Sequence, residues 1–335
     1  MDPITHGLAS FALKRGLFPR IERPVLISML LAGTFADLDW LSGVFGPAAY
    51  LKWHGGPLHS ISVALLAAFA ISVAVRAYAK SRGVAFAGAL WWLTPACAAL
   101  LHLAMDSLLS SGVSLFWPVS PRRIALDWAP DFDLWLLILL LAGIFLPELF
   151  RLVGDEIGAK SKKPRGRAGA IVTFVLIAAY FGVRGVMHTG AVAMLLERSY
   201  VGESARRAAA FPDSTSPVLW HGVVETESAI HLVQVPTAQF TKFDPEDALH
   251  IHKPEASPML DAAQKTEVAR QFMAFARFPK ATVQRETEGF SVEIRDLKYD
   301  ALGQTSRVVE VRVDLDKPGQ PTYAHLEWRG TLRRQ

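Results

Sequence analysis

The sequence predicts a mainly α-helical protein: a polytopic membrane bundle of about five or six helices followed by a small soluble α+β domain. Three observations carry this. Hydrophobic residues make up 51% of the chain, and nearly all the long apolar runs fall within residues 1–190. From about residue 195 to 335 the chain turns to mixed charge and short alternating segments, as in a soluble domain. Basic residues gather in short loops beside the apolar runs, a pattern that suits membrane topology better than nucleic-acid binding.

The elements follow in order. Pro3–Phe18 is short for a span, with Asp2 as helix cap and Pro3 in the first turn. Pro24–Leu41 is apolar until Asp37 and Asp39. Ile61–Ala79, Val84–Leu109, Asp133–Leu152 and Ala168–Met187 each offer about 20 mainly apolar residues, enough to cross a hydrocarbon core of roughly 30 Å. The opening MDPITHGLASFA is too polar for a signal-peptide core, so insertion is expected to rely on the internal helices. Beyond Met187, Val218–Val224 and Ser228–Val235 read as paired strands, Asp261–Ala276 as an amphipathic helix, and Phe290–Leu297, Ser306–Val313 and Tyr323–Leu332 as further strands.

Loop charge gives an orientation. Lys14, Arg15, Arg20 and Arg23, then Arg76, Lys80 and Arg82, then Arg151, Lys160, Lys162, Lys163, Arg165 and Arg167 mark cytoplasmic loops. The opposite loops, Ser42–Leu58 and Ser110–Phe132, carry only Lys52, Arg122 and Arg123. This places the protein in the inner membrane as a multi-pass chain with its C-terminal domain outside the cytoplasm. The single cysteine, Cys97, lies in an apolar run, which excludes an intrachain disulfide and a cysteine-based zinc site.

Polar residues in the apolar half carry the chemistry: His6, Asp37, Asp39, His54, His59, His102 and Asp106. In the charge-derived topology all lie at helix ends on the external face. His102 and Asp106 stand at i and i+4, so both project from one helical face and can share an ion. Neutral imidazole with carboxylate suits zinc, and also manganese or iron. Taken singly, His102–Asp106 would be a hydrogen bond tying down a helix end, and Asp37–Asp39 a solvated terminus. Acids sit poorly at a C-terminal helix end, however, and ionisable groups at membrane depth are expensive. The set together points to one divalent-metal site. Among these residues Asp37, Asp39, His59 and Asp106 are the candidates for catalysis. Arg122 and Arg123 could hold a phosphate bidentately, or snorkel beside lipid headgroups. His221, His231, His250, His252 and His325 show no ligand spacing beyond His250-x-His252 and read as surface residues.

MDPITHGLAS, ADLDW, WHGGPLHS, HLAMDSLLSSG and FWPVSPRRIALDW follow one another in this order. Together they resemble the YdjM family of membrane-bound, metal-dependent hydrolases over roughly residues 1–190. Carried over by position, the resemblance implicates His6, Asp37, Asp39, His54, His59, His102 and Asp106 in metal binding. The family commonly has His-Arg-Gly before Thr-His-Ser, where this chain has His54-Gly55-Gly56 and then Leu58-His59-Ser60. The missing Arg removes an anion contact. The ligand order is also distantly similar to the zinc-dependent phospholipase C and single-strand nuclease group. That resemblance needs further ligands, for which Asp127, Asp131, Asp133 and His188 remain open.

The expected function is a metal-dependent hydrolase acting on a phospholipid or other phosphoester at the outer face of the membrane. Membrane lipids are its expected partners, and no nucleic acid is expected. The alternative is a non-catalytic, metal-stabilised scaffold whose C-terminal domain binds a partner. A transporter fits less well, because the polar residues gather at one face rather than at the midplane.

Overall fold

The computed structural model describes residues 1–84, 90–156, 166–237, 243–303 and 308–328. Lys160, Lys162, Lys163, Arg165, Ser306 and the end of the strand expected at Tyr323–Leu332 lie outside the described residues. The chain folds as two compact units. One comprises Met1–Trp40, Gly55–Val186 and Ser214–Pro217; the other comprises Leu41–His54, Met187–Asp213 and Val218–Gln335.

Helix α1 runs Pro3–Leu17, started by Asp2, whose carboxylate accepts from Thr5 N at 2.9 Å. Helix α2, Arg23–Thr34, is followed by a 3-10 helix at Ala36–Phe45, bent from it by 48°. After α3, Pro47–Trp53, comes a 3-10 turn at Pro57–His59. Helix α4, Ile61–Ser81, is capped by Ser60, and α5 covers Leu90–Asp106 with Pro95 inside it. Helix α6 spans Leu134–Glu156 and α7 spans Arg167–Leu196. In the first unit α2 packs on α1, α4 and α5.

Among the described residues, three helices are long and apolar enough to cross a membrane: Ile61–Ser81, Leu134–Leu152 and Arg167–Leu196. The bent pair of α2 and its 3-10 continuation would make a fourth. Of the other two expected segments, Pro3–Phe18 is helical at Pro3–Leu17 and Val84–Leu109 at Leu90–Asp106, with residues 85–89 of the latter outside the described residues. The expected continuous helix Pro24–Leu41 breaks because α2 is held tightly at its end. A Cβ at Gly33 would stand 2.1 Å from Ser10 Oγ and 3.3 Å from Ala98 Cβ, so glycine lets three helices close together. The Gly33 carbonyl accepts from His102 Nδ1 at 2.8 Å, and the chain tightens so that Leu38 N donates to Phe35 O.

The second unit is rich in sheet. A small ribbon pairs β1, Ser199–Tyr200, with β2, Glu203–Ser204. Strands β3 (Arg207–Pro212), β4 (Leu219–Glu225), β5 (Ala229–Pro236) and β6 (Leu249–His252) form an antiparallel sheet in that order. After helices α8 (Pro258–Gln264) and α9 (Glu267–Phe275) come β7 (Pro279–Arg285), β8 (Gly289–Asp296), helix α10 (Leu297–Ala301), β9 (Val309–Asp316) and β10 (Pro321–Trp328). These four strands form a second antiparallel sheet in the order β10-β9-β8-β7. Alternation fixes which face is covered. Val309, Val311, Val313 and Leu315 of β9 point inward with Val292 and Ile294 of β8, against Leu260, Ala263, Ala269 and Phe272 of α8 and α9. The helix expected at Asp261–Ala276 is two helices, because Thr266 stops one and caps the next by accepting from Ala269 N.

His231, read from the sequence as a surface residue, is buried in β5. The register sets it opposite His250 of β6, with their Nδ1 atoms 2.6 Å apart, while its Nε2 lies 3.1 Å from Thr226 Oγ1. Burial, reinforced by the neighbouring His250, pushes its pKa down to about 4. The unfolded chain takes up this proton near 6.5, the folded chain only near 4. The stabilisation from the neutral ring is thus complete above about pH 6.5 and is lost as the pH falls toward 4. Denaturant unfolding of the full chain at pH 7.5 and 4.5 should show this loss, and His231→Gln should reduce it.

Candidate metal centre

Four separate stretches of the first unit bring their polar residues to one place. His6 lies in the first turns of α1, and Asp37 and Asp39 in the 3-10 helix that α2 bends into. His59 closes the turn before α4, while His102 and Asp106 lie one helical turn apart at the end of α5. His6, Asp39, His59, His102 and Asp106 are all buried, and Asp37 is nearly so.

Asp106 is the hub. Its Oδ1 lies 3.1 Å from His6 Nε2. Its Oδ2 lies 2.9 Å from His59 Nε2 and 3.2 Å from His102 Nε2. The Met1 amino group also pairs with Oδ1. The two nitrogens His59 Nε2 and His102 Nε2 stand 3.3 Å apart, and the rings of His6 and His102 lie against each other with centroids 3.7 Å apart. On the outer edges of these rings, Asp37 Oδ2 meets His6 Nδ1 at 3.1 Å and Asp39 Oδ2 meets His59 Nδ1 at 2.9 Å. Asp39 Oδ2 also accepts from Gly55 N at 2.7 Å. Burial opposes a charge on His59, but its contacts with Asp106 and Asp39 outweigh burial and raise its pKa to about 9.

The residues fit a divalent ion. His6, Asp37, His102 and Asp106 each offer a ligand atom within 4.8 Å of the others. His6 Nε2 is buried and makes no hydrogen bond, although a carboxylate oxygen lies 3.1 Å away. Imidazole nitrogens and carboxylate oxygens gathered this closely in a buried site are the donor set of zinc, manganese or iron.

The other sequence candidates make different contacts. His54 belongs to the second unit and stacks on Tyr50, ring centroids 4.5 Å apart. Arg122 is exposed. Arg123 is half-buried, and its Nη1 would stand only 2.9 Å from a Cβ at Gly55, so the bare Gly55 backbone makes room for this guanidinium. Asp133 starts α6 by accepting from Leu136 N, and it accepts from Tyr180 OH at 3.0 Å. Asp127 is buried, Asp131 is exposed, and His188 lies against Trp220 with centroids 5.5 Å apart.

Sequence reasoning missed one group that touches the cluster and one buried charge that does not. One is the Gly33 carbonyl, a backbone atom that no side-chain pattern announces. The other is Arg184, fully buried in α7, whose Nε donates to Trp128 O at 2.6 Å and whose Nη1 donates to Pro217 O at 3.1 Å. An arginine within an apolar run was its only signal.

No curated protein and no solved structure matches this chain. The profile of one family, described as YdjM inner membrane protein, matches residues 1–191, which include every residue of the His and Asp cluster. With more than half of its length matched, the chain belongs to the YdjM inner membrane protein family.

Proposed function

We propose that this chain is a membrane-embedded, metal-dependent hydrolase acting on a phospholipid or other phosphoester at the outer face of the inner membrane. The observation that carries the reading is the convergence of three buried imidazoles on the buried carboxylate of Asp106. The residues around a divalent ion, zinc first and manganese or iron as rivals, come from His6, Asp37, Asp39, His59, His102 and Asp106. Such an ion lowers the pKa of bound water toward neutrality and polarises a phosphoryl oxygen.

The chain's own groups supply the rest. Asp37 and Asp39 hold the rings of His6 and His59 and are the candidate proton acceptors. Arg123, lodged over Gly55, whose amide binds Asp39, is the candidate cation for a substrate phosphate. Arg123→Ala should keep the metal and raise KM, whereas exposed Arg122→Ala should change little. Metal analysis combined with release of product from phospholipid and phosphodiester probes tests the reading. It requires hydrolysis that depends on metal and is abolished in Asp106→Ala.

The loop charges support an orientation with Lys14–Arg23 and Arg76–Arg82 in the cytoplasm and the C-terminal domain outside. In a Cys97→Ser background, an impermeant thiol reagent added to cells with a permeabilised outer membrane should label Glu255→Cys and spare Lys80→Cys. The reverse pattern would invert the orientation. One observation favours the rival scaffold reading. The second unit holds an open cleft of about 690 Å³ lined by His221, Phe243, Asp244 and Leu249, among others. Stoichiometric metal with no hydrolysis of any probe would move that reading ahead.

A further inference from the structure

We propose that the centre holds a single divalent ion between the Nε2 atoms of His6, His59 and His102 and the carboxylate of Asp106. Asp37 and Asp39 then act as positioning residues that do not ligate it. This deepens the metal reading above and is independent of whether the protein is a hydrolase.

Each ring can be assigned from what meets its other nitrogen. His102 Nδ1 faces the Gly33 carbonyl at 2.8 Å. A carbonyl only accepts, so Nδ1 carries the hydrogen, and in the neutral ring Nε2 carries the lone pair. His6 Nδ1 faces Asp37 at 3.1 Å, and His59 Nδ1 faces Asp39 at 2.9 Å. Carboxylates likewise only accept, so the same assignment holds for both rings. All three Nε2 atoms thereby face the two oxygens of Asp106, at 3.1, 2.9 and 3.2 Å. The His59 and His102 Nε2 atoms also face each other at 3.3 Å. Without a divalent ion, a proton on Nε2 and the Met1 amino group meet these oxygens; a divalent ion displaces them and takes the Nε2 lone pairs as its ligands. Ligands about 2.0–2.1 Å from a tetrahedral zinc stand about 3.3 Å apart, close to the spacings seen here. A carboxylate or carbonyl on the far nitrogen of each imidazole is the arrangement that orients metal-binding histidines.

The competing set replaces His59 with Asp37, whose carboxylate is within ligand reach of His6, His102 and Asp106. The geometry speaks against it. Asp37 lies on the Nδ1 edges of His6 and His102, at 3.1 and 3.9 Å. An ion bound through Nε2 of those rings lies on the opposite edge, and His102 Nδ1 is already committed to Gly33.

The test is metal stoichiometry of the purified full chain loaded with zinc or with cobalt. Wild type should hold one ion per chain. Asp37→Asn and Asp39→Asn should still hold one, with affinity reduced about 10- to 100-fold and the cobalt absorption bands kept. His6→Ala, His59→Ala, His102→Ala and Asp106→Asn should each lose stoichiometric binding. X-ray absorption at the zinc edge of wild type needs no variant to fold, and should count three imidazoles and one carboxylate. Two imidazoles with two carboxylates, a second ion, retention by His59→Ala with loss in Asp37→Asn, or no stoichiometric metal in wild type would each overturn the assignment. Failure of the hydrolase reading alone would leave all these readings unchanged.

Discussion

Stripping the purified protein of divalent metal is expected to lower its unfolding temperature by about 10 °C and to abolish hydrolysis. The size follows from mass action: an ion present at about 1,000 times its dissociation constant stabilises the folded state by about 4 kcal/mol. The effect reaches the fold because the ligands come from three separate stretches, α1, the turn before α4 and the end of α5, and the carboxylates that position them from a fourth, the 3-10 helix after α2. Without a divalent ion, the buried imidazoles and carboxylates are held together by protons and the Met1 amino group alone, a weaker tie between these stretches. Asp106→Ala should melt near the temperature of the stripped wild type and should no longer respond to chelator. The measurement is thermal unfolding in detergent with and without dipicolinate. A melting curve of wild type that does not move with chelator would reduce the cluster to a hydrogen-bonded helix tether.

The second large effect is expected at Gly33. Replacing it with leucine puts a branched side chain where even a Cβ would meet Ser10 Oγ at 2.1 Å and Ala98 Cβ at 3.3 Å. Helix α2 must then move away from α1 and α5. The Gly33 carbonyl leaves His102, and Asp37 and Asp39 are carried away with the end of the helix. Overpacking of this kind costs about 1–3 kcal/mol, and here metal affinity should fall by more than that stability loss alone implies. Gly33→Ala should be milder, and Ser10→Ala should partly restore it, because the closest atom in the clash is the serine hydroxyl. If Gly33→Leu bound metal as wild type does, the close approach of α2 would have no role in shaping the centre.

How much of this was legible in the sequence differs by residue. His102 and Asp106 were readable as partners, because helical spacing alone puts them on one face. His6 and Asp39 were readable as members of a set, since ionisable groups in apolar stretches demand a reason. The division between rings that face inward and carboxylates that stand behind them was not readable, because it depends on a backbone carbonyl and on ring orientation. His54 and His59 look alike in sequence, five residues apart with glycines between. In the structure one stacks on Tyr50 and the other turns toward Asp106. Likewise the apolar run to Leu41 gives no sign that α2 bends after Thr34, since the cause lies in Ser10 and Ala98, far along the chain. In the second unit, β4, β5, β8 and β9 followed from alternation. Strand β3, with its Ala-Ala-Ala-Phe core, and β7 lacked that alternation and went unseen. The neutral, buried state of His231 came only from the register that sets it against His250.

Arg184 decides where the chain can be cut. The family match ends at residue 191, which suggests a natural boundary for expressing the helical part alone. The buried guanidinium, however, donates to the carbonyl of Pro217, and the indole of Trp135 donates to the carbonyl of Thr215. Both acceptors lie beyond that boundary, within Ser214–Pro217, which belongs to the first unit. A fragment ending at 191 would bury a guanidinium short of an acceptor, at a cost of about 1–3 kcal/mol or more. Its poor behaviour would then say nothing about the metal centre. The helical part is not a contiguous stretch of sequence, and a fragment meant to stand for it has to return the segment Ser214–Pro217 to Arg184.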